Sequence, residues 1–154
     1  MSISVVTHYW IEKVDNEIKT KMGGGITNYT FMLFNFLKDY YKIKTDVIFR
    51  SGNDSSNFQG PKNQLLFSLF TLKYCLKTSS SLIICQGGWS SLLPVLISKY
   101  FFKKKYNVAY IFHTQPSEAS TYLIRKFYNF LFNQTDKLCF VSNKLKRNLI
   151  RTEG

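Results

Sequence analysis

Two histidines, His8 and His113, each follow a short run of apolar and β-branched residues, Ser2 to Thr7 and Asn107 to Phe112. An imidazole at the end of a strand can hydrogen-bond a sugar hydroxyl or a phosphate, or move a proton near neutral pH. It can also simply cap the strand end. Thr114 follows His113 and adds a hydroxyl to the same place. Three consecutive glycines, Gly23, Gly24 and Gly25, precede a run at helical spacing. Residues without side chains let backbone N–H groups and a helix N-terminus come close to an anion, and they equally make a plain hinge. A third segment, Gln86-Gly87-Gly88-Trp89, offers a close backbone approach and a flat indole for a sugar ring, or a tight turn with a packing tryptophan. Ser142 and Asn143 can contact a ligand or cap a helix. Neither histidine has a carboxylate or cysteine at metal-ligand or triad spacing, so no metal site and no nucleophilic triad is expected.

The elements that must position these residues alternate regularly. Strands are expected at Ser2–Thr7, Thr45–Phe49, Leu82–Cys85, Asn107–Phe112 and Leu138–Val141, all short and apolar. The polar stretch from Glu12 to Lys21 ends the first strand, and Arg50 to Pro61 reads as a loop. Between them, Ile26, Tyr29, Leu33, Phe36, Leu37 and Tyr40 mark a first helix. Asn63 caps a second from Gln64 to about Lys77, with Leu65, Leu66, Leu69, Leu72 and Leu76 on one face. Ser90 or Ser91 caps a third, running to Lys103 with Pro94 in its first turn. A polar stretch from Thr114 to Ser120 leads into a fourth helix to about Phe132, and Lys144 to Arg151 forms a basic fifth. Short apolar strands separated by helices imply a parallel sheet buried on both faces. The fold class expected is therefore α/β, a doubly wound Rossmann-like parallel sheet with helices on both faces, in one domain over residues 1–154.

The composition suits such a domain: 154 residues, 45% hydrophobic and 17% aromatic, with 19% charged, is too apolar for a disordered chain. Twenty-one basic against nine acidic residues leave a net charge of +12, which favours anionic partners. Lys99, Lys103, Lys104 and Lys105 interleave with Tyr100, Phe101, Phe102 and Tyr106, while Arg125 and Lys126 sit among Tyr122, Phe127, Tyr128 and Phe130. Such mixtures suit an anionic membrane surface, and they are also what solvated lysines on helices with inward aromatics look like. No zinc finger, RNP signature or helix-turn-helix supports nucleic-acid binding, which ranks last. Cys75, Cys85 and Cys139 form no CxxC pair and read as reduced core residues. The N-terminus carries no basic region followed by a cleavage site, and the apolar run Leu92 to Phe102 is short of the ~20 residues of a membrane span. A cytoplasmic location follows as the expectation, peripheral at the inner membrane face if the basic surface is used.

With these positions laid out, the chain resembles the N-terminal, acceptor-side half of the GT-B glycosyltransferases of family 4, a retaining, sugar-nucleotide-dependent group. The first strand followed by Gly24-Gly25-Ile26 is similar to that family's glycine loop opening the first helix. Val108 to His113 resembles its strand ending in histidine. Asp136-Lys137-Leu138 and Phe140-Val141-Ser142, followed by a helix with Leu145 and Leu149, resemble its segment of aspartate, strand, serine and helix. The resemblance implies that Gly24 and Gly25 lie near the donor's phosphates and His113, the one catalytic candidate, near the reacting sugar. It makes His8, Gln86, Trp89, Thr114 and Ser142 candidates for the acceptor cleft. It also implies a glycan or lipid-linked acceptor, a nucleotide sugar as donor substrate with no tightly bound cofactor or metal, and a donor domain with paired glutamates that is missing after Glu153-Gly154. On that resemblance the chain is not expected to be active alone, and a donor-domain polypeptide in trans is one partner it could have. It would be half of a split enzyme, a truncated gene product or an excised domain. The alternative is a noncatalytic membrane-surface or scaffolding module derived from the same family.

Overall fold

The computed structural model describes residues 1–10, 12–14, 17–19, 25–50, 59–113, 122–143 and 146. Strand β1 (Ser2–Trp10) starts where expected and runs three residues beyond Thr7. The polar stretch after it, which the sequence marks only as the end of the first strand, holds an antiparallel pair, β2 (Glu12–Val14) and β3 (Glu17–Lys19). Only Asp15 and Asn16 separate the two, residue types that favour a tight reversal. Helix α1 (Gly25–Asn35) continues as one wider π turn over Phe36–Tyr40, and β4 (Lys44–Arg50) follows. A two-residue strand, β5 (Gln59–Gly60), lies inside the segment expected to be all loop.

Helix α2 (Gln64–Lys77) has the expected bounds, and its cap is Asn63, whose Oδ1 accepts from the Leu65 and Leu66 N–H groups at 2.9 and 3.2 Å. Then come β6 (Leu82–Gln86), α3 (Trp89–Tyr100), β7 (Asn107–Phe112), α4 (Tyr122–Asn133) and β8 (Lys137–Phe140). The polar lead-in to α4 at 114–121 and nearly all of the basic helix expected at Lys144–Arg151 lie outside the described residues. Among the described residues, six strands form one open sheet in the order β5-β4-β1-β6-β7-β8, and every pairing in it is parallel. This is an α/β Rossmann-like fold.

Alternate residues along the longer strands of this sheet feed two cores. Val6, Ile48, Ile83, Cys85, Val108 and Tyr110 point to one face, where they meet Phe67 of α2, Val95 of α3 and Leu131 of α4. Ile3, Val5, Val47, Phe49, Ile84 and Ile111 point to the other, under Phe31, Phe34 and Leu37. Helices therefore cover both faces, as short, continuously apolar strands require. The three cysteines are free thiols. Burial pushes Cys75 up to about 12 and Cys85 well above the usual range.

Two helices differ from their sequence patterns. In α2 the leucine stripe predicts the core face, yet Leu65, Leu66 and Leu69 are more than half exposed and the buried residues are Phe67, Thr71 and Cys75. The helix is apolar on more than one side, so periodicity does not choose a face. Tyr74 does, because its hydroxyl donates to Asp46 Oδ2 at 3.0 Å and lies 2.8 Å from Ser4 Oγ, tying that face to β4 and β1. Phe67 also needs Gly60 of β5 beneath it, where a Cβ would stand 2.5 Å from its ring. In α3 the N-cap position is Gly88, not Ser90 or Ser91, and the helix ends at Tyr100, short of Lys103. Ser91 instead bonds backward to the Gly88 and Gln86 carbonyls, each at 2.8 Å. This earlier start puts Pro94 in the helix interior. The missing N–H of Pro94 leaves the Ser90 carbonyl without its intrahelical donor, and Ser68 Oγ of α2 donates to it at 3.1 Å.

The exchange of faces in α2 has a measurable consequence. Phe67→Ala is expected to lower stability in urea unfolding by about 3–5 kcal/mol, while Leu65→Ala and Leu69→Ala stay within about 0.5 kcal/mol of the parent. Comparable losses from all three would mean that the leucine face is the packed one.

Candidate functional site

The chain leaves β1 towards β4 and later resumes on the other side of β1 at β6, so the sheet's direction of travel reverses between β1 and β6. Crevices for ligands form outside the carboxyl ends of the strands at such a reversal. The carboxyl ends of β1, β6 and β7 carry His8, Gln86 and His113. These are three of the residues singled out from sequence, and the fold brings them to one end of the sheet.

They do not form one cluster, however. His8 turns towards α2 and α3: its Nδ1 lies 3.0 Å from Ser90 Oγ and 3.1 Å from Gln64 Nε2. An amide nitrogen only donates, so Nδ1 accepts and the ring proton sits on Nε2. Burial, and then the nearby Arg50 charge, pull the imidazole down to about 4 from 6.5, so it is neutral at pH 7. Gly87 and Gly88 wrap it closely. Gly87 has φ +92°, and a Cβ there would stand 3.0 Å from His8 Cβ. What these glycines admit is therefore the His8 side chain. Tyr110 Oη donates to the Gly87 carbonyl, and the Trp89 N–H donates to Tyr128 Oη at 3.3 Å, which holds the turn from both sides. Trp89 itself packs, partly buried, against the α2–α4 core.

His113 turns the other way, to α1. Its Nε2 lies 3.1 Å from Gln86 Oε1, which also accepts from Thr30 Oγ1 at 2.9 Å. Tyr29 meets the ring edge-on with centroids 4.9 Å apart. Burial lowers the pKa of this imidazole too, and the residue is only half-buried. Gln86 is fully buried, with its Nε2 lacking any hydrogen-bond partner among the described residues, so it stands behind His113 and not in an open cleft. Gly25 is the first residue of α1, the same helix that supplies Tyr29 and Thr30. Gly23, Gly24 and Thr114 lie outside the described residues. Ser142 is exposed beyond the end of β8, one strand further out, and its carbonyl accepts from Lys146 N at 3.3 Å.

Thr30 and Gln64 are not legible as site residues from sequence. Each is an ordinary helix position whose partner, fifty-six residues away, is fixed only by the strand order. Ser90 is visible there only as a helix cap.

The basic residues separate into different places. Lys99 bonds both oxygens of Asp136 at 2.7 and 2.6 Å. Burial alone would raise that carboxyl, but Lys99 and the Val108 N–H at 2.6 Å hold it below its ordinary value. Lys99 is thus a structural partner. Lys104 and Lys105 line a surface depression of about 450 Å³ with Tyr106, Asn107 and Asp136, at the amino end of the sheet and away from the histidines. Lys103 is exposed in the same loop, and Arg125 and Lys126 are exposed on α4. Among the described residues no helix is long and apolar enough to cross a membrane, and no three His, Cys, Asp or Glu side chains gather as a metal site would need. No protein-family model, curated protein or solved structure matches the chain.

The neutral His8 sets a pH dependence. Its folded-state pKa of about 4 lies below the 6.5 of the unfolded chain, so below pH 6.5 the unfolded chain takes up the proton first. Stability linked to His8 is complete above that value and is lost as the pH falls towards 4. Urea midpoints measured across this window are expected to decline less steeply for His8→Gln than for the parent. An unchanged slope would show that His8 titrates normally.

Proposed function

We propose that this domain is the acceptor-binding half of a retaining, nucleotide-sugar-dependent glycosyltransferase of the GT-B type, working with a donor-binding domain supplied by another polypeptide or by another part of a longer chain. The observation that carries this reading is the meeting of His113 with α1. The helix that opens at Gly25 also supplies Tyr29 and Thr30, which fix the imidazole directly and through Gln86. A helix N-terminus is suited to the diphosphate of a donor, and a neutral imidazole beside it can orient a hydroxyl without repelling or trapping charge. In such a transfer the acceptor oxygen bonds to the anomeric carbon of the donor sugar while the bond to the nucleoside diphosphate breaks. This domain's part is to hold and align the acceptor. The family resemblance suggests the reaction, and the neighbourhood of His113 and α1 supports the place we propose for it in the fold.

The partner surface we assign is an anionic bilayer. From Ser55 to Ser117 the sequence has no acidic residue, and α4 has none either, so α2, α3 and α4, which share one face of the sheet, carry no carboxylate. That layer exposes Leu65 and Leu69 on α2, Phe101 just past α3, and Leu123 and Phe130 on α4, with Phe101 at 81%. Apolar side chains among lysines and arginines suit an interface in which the former enter the headgroup region and the latter meet its charge. The Tyr100 hydroxyl donates to the Gln134 carbonyl at 2.9 Å, joining the ends of α3 and α4 into one surface.

Two experiments test these readings. Combined with a donor-domain polypeptide recovered by affinity copurification, the chain is expected to restore sugar transfer, and His113→Ala to reduce it on the order of 10²-fold. Restored transfer that is indifferent to this substitution removes His113 from the acceptor site, and no transfer with any such polypeptide overturns the reading. The chain should sediment with phosphatidylserine-containing vesicles at low salt, much less at high salt, and not with neutral vesicles. Binding indifferent to lipid charge and salt, or no binding at all, refutes the bilayer surface.

A further inference from the structure

Gln86 is the last residue of β6 and is wholly buried, yet its side-chain nitrogen has no partner among the described residues. A buried, unpartnered amide donor is unfavourable, and an apolar residue of similar size would avoid that cost. What an apolar residue could not supply is the other end of the amide. Gln86 Oε1 receives two donors, Thr30 Oγ1 at 2.9 Å from α1 and His113 Nε2 at 3.1 Å from the end of β7. A carbonyl oxygen only accepts, so the bond to His113 exists only when the proton of the neutral ring is on Nε2.

We propose that Gln86, held by Thr30, is the positioning residue of the His113 site: it fixes the imidazole as the Nε2–H tautomer and leaves Nδ1 as the ring's proton acceptor. Side-chain direction supports this arrangement. Ile84 and Ile111 point to the α1 side of the sheet, and Gln86 and His113, two residues further along their strands, keep that side. Tyr29, edge-on to the imidazole, limits its rotation about the bond to Gln86. Two restraints, a hydrogen bond at one nitrogen and an aromatic wall, thus define both the plane of the ring and the position of its proton. A group that must accept from, or align, a substrate hydroxyl needs both to be set before the substrate arrives. The part of the inference that concerns a substrate hydroxyl rests on the reading of His113 under Proposed function, while the tautomer does not.

The tautomer can be read on the full chain without substrate. In ¹⁵N NMR at neutral pH, His113 of the parent is expected to show a protonated-type shift at Nε2 and an unprotonated-type shift at Nδ1. Gln86→Leu should shift the two nitrogens towards averaged values as both tautomers become populated, and Thr30→Val should do so in part. An Nδ1–H tautomer in the parent overturns the proposal even if neither variant folds. So does a folded Gln86→Leu protein whose His113 nitrogens are unchanged. With a donor domain supplied, folded Gln86→Leu should lower kcat by about tenfold or more with KM nearly unchanged. Loss of the tautomer without loss of kcat would leave Gln86 setting the ring but would remove His113 from the chemistry.

Discussion

Parallel strands leave neither sheet face for water, and the arrangement of this domain follows from that constraint. Strands β1, β4, β6, β7 and β8 send alternate side chains into two separate cores, one under α1 and one under α2, α3 and α4. The same alternation reaches the strand ends. It sends His8 to the α2–α3 side and His113 to the α1 side, with the β6 strand between them. Two histidines that look alike in sequence consequently have different surroundings. One is walled in by a glycine turn and two helices, and the other stays half-buried beside the helix that starts at Gly25.

Much of this order can be read from the residues. All five expected strands and the bounds of α2 follow from short apolar runs and from Asn63, with β1 running three residues past its expected end. The final strand, β8, lies one residue earlier than its pattern suggests. The misreadings share a physical origin. The leucines of α2 are a regular stripe, but a helix apolar on two sides takes its orientation from specific polar contacts, here those of Tyr74 to Ser4 and Asp46. The start of α3 is obscured by Ser90 and Ser91, which are good capping types. Their hydroxyls serve His8 and the Gln86 and Gly88 carbonyls instead. At the site, His113 and Gln86 are visible as strand-end residues, but Thr30, Gln64 and Tyr29 are not, because only the strand order brings them close.

Charge is organised on the same plan. The acid-free helix layer lies on one side of the sheet; the one β4 carboxylate that reaches it, Asp46, accepts from Tyr74 of α2, and Asp39 belongs to the π turn. Asp136, close to the end of α4, is taken up by Lys99 and the Val108 N–H and offers no free carboxylate to a neighbouring lysine. The net charge of +12 is therefore partly a one-sided field and not a uniform coat.

Ser90 works as a mechanical joint. Its hydroxyl contacts the imidazole of β1, and its carbonyl, released by Pro94, receives the Ser68 hydroxyl of α2. One residue thereby rivets a strand and two helices at a single point, so α3 cannot pivot without dragging both the first strand's ring and the neighbouring helix. The α1 side is anchored separately, through the Thr30 hydroxyl on Gln86, so the two faces of the sheet are tied at different points.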